Sequence, residues 1–181
     1  MKYHIDVSSV LRQTVCDLYS NLVTRSTGAA VRKAIEDALA TLPEPNVTVI
    51  DFSQVTTLDF SCADEVVGKL LVDYQRATGR PRTYFLIRGV HEAHLEAIEA
   101  VLERYNLAVI VQNGDGHTQL VGAVRDGARR AWQIVCQHGA LIPQQLDEEL
   151  GESSEMLVDE LWTRRLLVRR DDGFVALPHA M

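Results

Sequence analysis

The chain is poor in the residues that cross-link or specialise a protein covalently. It has three cysteines in 181 residues, Cys16, Cys62 and Cys136, widely separated and without a Cys-x-x-Cys pair. An odd, scattered set excludes a closed disulfide framework and points to free thiols in a reducing compartment. No apolar run approaches the ~20 residues that a membrane-spanning helix needs. The opening Met-Lys-Tyr-His-Ile-Asp-Val is short and polar for a secretion signal, so a cytoplasmic protein without membrane association is expected. Gly-rich dinucleotide and Walker patterns are missing, and Gly114–Asp115–Gly116 reads as a turn. Ser61 has no Gly-x-Ser-x-Gly elbow, and Cys62 has no assignable His–Asn/Asp set. A non-enzymatic protein with no cofactor and no metal is therefore expected. Internal repeats and low-complexity linkers are also lacking. Basic residues are outnumbered, 18 Lys and Arg against 25 Asp and Glu, and the net charge of −7 argues against generalised nucleic-acid binding.

What is present is an ordinary globular composition, 46% hydrophobic and 24% charged. A chain of this length buries roughly 70% of its unfolded surface and needs no staples. It suits one domain, or one domain with a small appendage. Residues 3–7 alternate as a half-buried strand. The stretch 10–23 is ambiguous between helix and extended chain. Residues 28–41 read as a helix with Ser26 or Thr27 as N-cap. Val47–Phe52 is a β-branched buried strand. The next helix begins near Ser61, with Val66, Val67, Leu70, Leu71 and Tyr74 on its apolar side. Asp64, Glu65, Lys69, Asp73 and Arg76 lie on the other side, and Gly79 and Pro81 close the helix. A strand at 83–87, a helix at 91–105 and a strand at 107–111 follow. Asn113–Gly116 is a turn, with 117–121 as hairpin partner. Strands alternating with helices imply right-handed crossovers and a largely parallel sheet. The expected class is α/β: a mixed sheet with helices over 1–123, and a small α+β module over 124–181. The module reads as helices at 124–138, 143–150 and from about 153, then a hairpin through Asp171–Asp172–Gly173. That order resembles a winged helix-turn-helix.

The most informative stretch is Val47–Leu71, where a strand ending in Asp-Phe-Ser passes through a short turn to Asp59–Phe60–Ser61–Cys62 and a helix. As structure alone, Ser61 is an N-cap with Asp64 as a shortened capping-box partner, worth about 1 kcal/mol. The pattern also resembles the STAS family of anti-sigma-factor antagonists, over residues 29–121. There, a strand ending in Asp-Leu-Ser leads to Asp-Ser-Ser-Gly-Leu at a helix start. Phe60 replaces a Ser, and Cys62–Ala63 replaces Gly-Leu, which is most similar to a divergent STAS-like branch. The resemblance implies partner switching. Ser61 would be phosphorylated by an ATP-dependent serine kinase that is also the anti-sigma-factor partner, and Asp59, Phe60, Cys62, Asp64 and Glu65 would form the docking surface. A phosphate adds about −1.5 to −2 charges, favoured by the helix N-terminus but crowded by Asp59, Asp64 and Glu65.

Other constellations have plainer readings beside the functional one. Asp51, Asp59, Asp64 and Glu65 could hold a divalent cation if they met at a sheet edge. His91 and His94 have metal-ligand spacing but no completing ligand. Arg25, Arg32 and Lys33 around Thr27–Gly28 could receive an anion. In the C-terminal module, transcription regulation through DNA would use Ser153 and Ser154 at the third helix, Arg164 and Arg165 at its end, and Arg169 and Arg170 in the wing. Residues 125–181 oppose this with seven arginines and no lysine against ten carboxylates. The alternative role for the module is homodimerisation or packing on the sheet.

Overall fold

The computed structural model describes residues 1–16, 20–76, 82–171 and 173–180. Its centre is a five-stranded sheet of β1 (Lys2–Asp6), β3 (Asn46–Asp51), β5 (Thr83–Arg88), β6 (Ala108–Gln112) and β7 (Thr118–Gly122), in that spatial order. The first four strands are parallel, with Ile5 opposite Ile50 and Ile50 opposite Ile87. β7 returns antiparallel through the Asn113–Gly116 turn. β3 is buried along its whole length, as its β-branched run requires.

The strand order decides how the sheet is covered. Each parallel crossover moves the chain in the same direction across the sheet. Right-handed crossovers that never reverse place every connecting helix on one face. That face carries α1 (Val7–Thr14), α2 (Arg25–Leu39), the continuous helix α3–π–α4 and α5 (Glu92–Tyr105). The continuous helix comprises α3 (Phe60–Ala63), a π-helical segment (Asp64–Lys69) and α4 (Leu70–Arg76). The core beneath them joins Leu11, Ile35, Leu70, Ile98 and Leu102 to Ile50, Phe85, Ile87 and Val109 of the sheet.

Several expected boundaries shift for identifiable reasons. Asp6 caps α1 by accepting from the Ser8 N–H, so the first strand ends one residue early. The ambiguous 10–23 stretch contains both conformations, the end of α1 and a short strand β2 (Asn21–Leu22). β2 runs parallel to β4 (Thr57–Leu58), a pair too short to show periodicity. α2 starts at Arg25 because Thr24, not Ser26 or Thr27, accepts from the Thr27 N–H. Gly79 and Pro81 lie outside the described residues. No helix among the described residues is long and apolar enough to cross a membrane.

The opposite sheet face is covered by the C-terminal residues: α6 (Asp126–His138), β8 (Ala140–Leu141), α7 (Pro143–Leu150), α8 (Glu155–Thr163), β9 (Leu167–Arg170) and β10 (Gly173–Ala176). β8 joins the hairpin to make a three-stranded sheet of order β8-β10-β9, which the sequence reading missed because β8 has only two residues. A second core unites Val47, Val49, Tyr84, Leu86 and Ile110 with Trp132, Leu161, Leu166 and Phe174. Arginines fasten the layers. Arg165 donates to the carbonyls of Tyr74 (2.8 Å) and Thr83 (3.0 Å), and Arg164 to those of Ala123 and Asn106. Arg129 covers the outer carbonyls of β7 at Leu120 and Gly122. Side chains from both sides of the division expected at 123/124 pack in one apolar cluster.

Candidate functional site

The start of α3 follows directly from local hydrogen bonding. Asp59 has extended backbone and its Oδ1 accepts from the Cys62 N–H at 2.8 Å, so Asp59 is the N-cap. Ser61, expected to be the cap, sits one residue inside the helix. Its hydroxyl donates to Asp59 Oδ1 at 2.9 Å, and the residue as a whole is partly buried. Phe60 projects beside it, 40% exposed. The neighbouring chain holds this start in place. The Asp59 N–H donates to the Leu22 carbonyl at 2.9 Å, and the Cys62 thiol contacts the Thr24 carbonyl at 3.0 Å. Val23, between those two residues, is a second exposed apolar side chain. Sequence reasoning missed Val23, because only the β2–β4 pairing brings it here.

Three of the five expected docking residues are not at the surface. Cys62 is fully buried, and burial with the nearby Asp59 charge pushes its thiol up to about 11. Asp64 and Glu65 are each 2% exposed. They lie between α2 and α5 under a cationic cover. Arg25 reaches Asp64 at 2.6 Å and Glu65 at 2.9 Å, while Arg32 and Lys69 also pair with Glu65. The Tyr105 hydroxyl donates to Asp64 at 2.8 Å, with Arg104 at 3.8 Å. Burial alone would raise both carboxyls. The hydrogen bonds from Arg25 and Tyr105 on Asp64, and from Lys69 and Arg25 on Glu65, outweigh it and hold both below their ordinary values. Helical spacing placed these acids on the side opposite the apolar residues, and arginines of α2 cover them there. Two glycines were the available signal. A Cβ on Gly28 would lie 3.0 Å from the Cys62 Cα, and one on Gly68 2.5 Å from Val101. A glycine inside a helix costs about 1 kcal/mol, so two of them mark close helix approach.

The remaining candidates separate. Asp51 is held by His4 at 2.7 Å, Arg88 at 3.0 Å and the Ser53 N–H at 2.8 Å, apart from the Asp64–Glu65 cluster, so the four carboxylates do not gather around one cation. No group of three or more His, Cys, Asp or Glu among the described residues could hold a metal ion. Arg25 and Arg32 do meet anions, but these are the chain's own Asp64 and Glu65, and Lys33 pairs with Asp37. His94 is buried with Nε2 3.3 Å from the Thr56 carbonyl, and burial lowers its pKa, while His91 is exposed.

The DNA candidates are mostly engaged elsewhere. Arg164 and Arg165 point back to carbonyls of the sheet layer, where their bonds replace any phosphate contact. Ser154 is buried, and its N–H donates to Asp147. Ser153, Arg169 and Arg170 are exposed, but Arg169 stacks over the Trp162 ring at 5.6 Å. The exposed side of α8 carries Glu155 and Asp159. No protein-family model matches the chain, and no curated protein matches it.

Proposed function

We propose that the protein is a non-enzymatic cytoplasmic regulator that binds a protein partner at the start of α3, with phosphorylation of Ser61 as the release step. The observation that carries this reading is the partly buried Ser61, its hydroxyl on Asp59, next to the exposed Phe60 on a start fixed by the Asp59 cap. Phe60 and Val23 supply apolar anchors, and Asp59 supplies a charge at their edge. The STAS resemblance of the Asp59–Cys62 segment supports the same assignment and names the partner class, an ATP-dependent serine kinase acting as anti-sigma factor. Internal neutralisation of Asp64 and Glu65 removes much of the crowding that a phosphate would otherwise meet. Asp59 remains as the repelling neighbour. A phosphoserine there sets two like charges in contact, opposes the cap and burdens any apolar partner surface, costing roughly 10²-fold in affinity.

The test combines isolation from native cells with variants. Proteins retained by the wild type should include a kinase-like ATPase, which should phosphorylate Ser61 as read by mass spectrometry. Phe60→Ser and Ser61→Glu should lose that partner, and Ser61→Ala should keep it. Retention by Phe60→Ser and Ser61→Glu alike would remove this surface from consideration.

A further inference from the structure

A different surface carries an independent inference. A groove of about 540 Å³ opens between α7, α8 and the β9–β10 hairpin, lined in part by Met156, Trp162 and Phe174. Separate hollows of about 150 Å³ and about 400 Å³ border the same hairpin, the second lined by Arg169, Arg170 and Asp171 and so without the acidic excess of the main groove. Met156, 72% exposed, lines the groove together with the partly buried Trp162 and with Phe174, so the apolar surface there is a patch and not one isolated side chain. The charged lining of the main groove is Asp147, Glu155 and Asp159 against Arg169 alone. Arg169 is already stacked on Trp162, and Arg164 and Arg165 are committed to backbone carbonyls on the sheet side. The groove thus presents apolar contact area inside a negative field.

We propose that this groove docks a lysine- or arginine-rich amphipathic segment of a partner protein. Its apolar side would cover Met156, Trp162 and Phe174, and its cations would meet Glu155, Asp159 and Asp147. This is the surface by which a helix-turn-helix of this element order would meet DNA, and here its charge has the opposite sign from what phosphates require. The site is separate from the start of α3, so it stands or falls independently of the Ser61 assignment.

The test uses the full chain and three labelled probes in fluorescence anisotropy at about 50 mM salt, where screening is weak. The probes are a Lys/Leu amphipathic peptide of about 18 residues, or five helical turns, its Glu/Leu counterpart, and a random DNA duplex. The cationic peptide should bind saturably and reduce acrylamide quenching of Trp162, and neither other probe should bind. Glu155→Lys with Asp159→Lys should weaken binding at least about tenfold, as loss of complementary charge predicts. The equal charge reversal Glu96→Lys with Glu99→Lys on α5 should leave it within about twofold, because those sites lie on the opposite layer. Met156→Ser should weaken binding without lowering thermal stability. Equal weakening by the α5 reversal, absence of saturable peptide binding, or tighter binding of the duplex would each overturn the assignment.

Discussion

The two faces of the central sheet are covered by different means. On the first face, helices threaded between the strands pack close, and two carboxylates are buried beneath a cover of arginines, a lysine and a tyrosine. On the second, a segment that follows the last strand of the central sheet supplies an apolar core and is fastened by arginines to backbone carbonyls. The first face holds its charges as an internal network, while the second uses charge as a clasp at its edge. The difference teaches that the C-terminal residues serve as the missing layer of a sheet whose crossovers all run one way.

The strongest way to break this comparison is to remove the second layer. A chain ending at residue 123 exposes Val47, Val49, Tyr84, Leu86, Ala108, Ile110 and Leu120. At about 1.5–3 kcal/mol for each large side chain, the loss is as large as the typical stability of a domain. The truncated chain should be insoluble or aggregated in size-exclusion chromatography, and a folded monomer would show that the layer is a separate domain. Opening the clasp is the next largest effect. Arg165→Met leaves the Tyr74 and Thr83 carbonyls without their donor, and should cost about 2–4 kcal/mol in urea unfolding.

The buried acids distinguish the faces by pH. Asp64 and Glu65 have folded pKa values below their unfolded ones, so their contribution is present above the ordinary carboxylate range near pH 4. It is lost as pH falls through the lowered folded values. Asp64→Asn with Glu65→Gln should flatten that acid limb of a stability–pH curve. His94, whose folded pKa is also lowered, adds a loss starting as pH falls below about 6.5, and His94→Gln should remove that step. The smallest effects belong to the docking surface. Asp59→Ala removes a helix cap and should cost about 1 kcal/mol, while Phe60→Ser and Ser61→Ala should each change stability by less than about 0.5 kcal/mol.

Most of the secondary structure was legible because its signals are local. The β-branched run at Val47–Ile50, the Asn-Gly turn at 113–114 and the glycines at 139 and 151 act within a few residues, and the elements lie where those signals put them. Short pieces failed for the same reason. β2, β4 and β8 are two-residue pairs made only by their partners. At the candidate site, the helix start was legible but its polarity was not. Asp59 and Ser61 are both good caps by composition, and the backbone selected Asp59. Arg25 and Glu65 are forty positions apart, and no spacing rule joins them.

The amino-acid order by itself determined where the longer strands and helices form, the sense of their crossovers and an acidic excess that sets the sign of the net charge. Those properties depend on backbone preferences, side-chain periodicity and summed charge, all of which are short-ranged or additive. Tertiary packing decided which charged groups face water. Asp64 and Glu65 went inside because two glycines let the helices close over them, and Arg165 turned away from solvent to donate to the Tyr74 and Thr83 carbonyls. Burial depends on what arrives from elsewhere in the chain, so only the assembled layers could fix it.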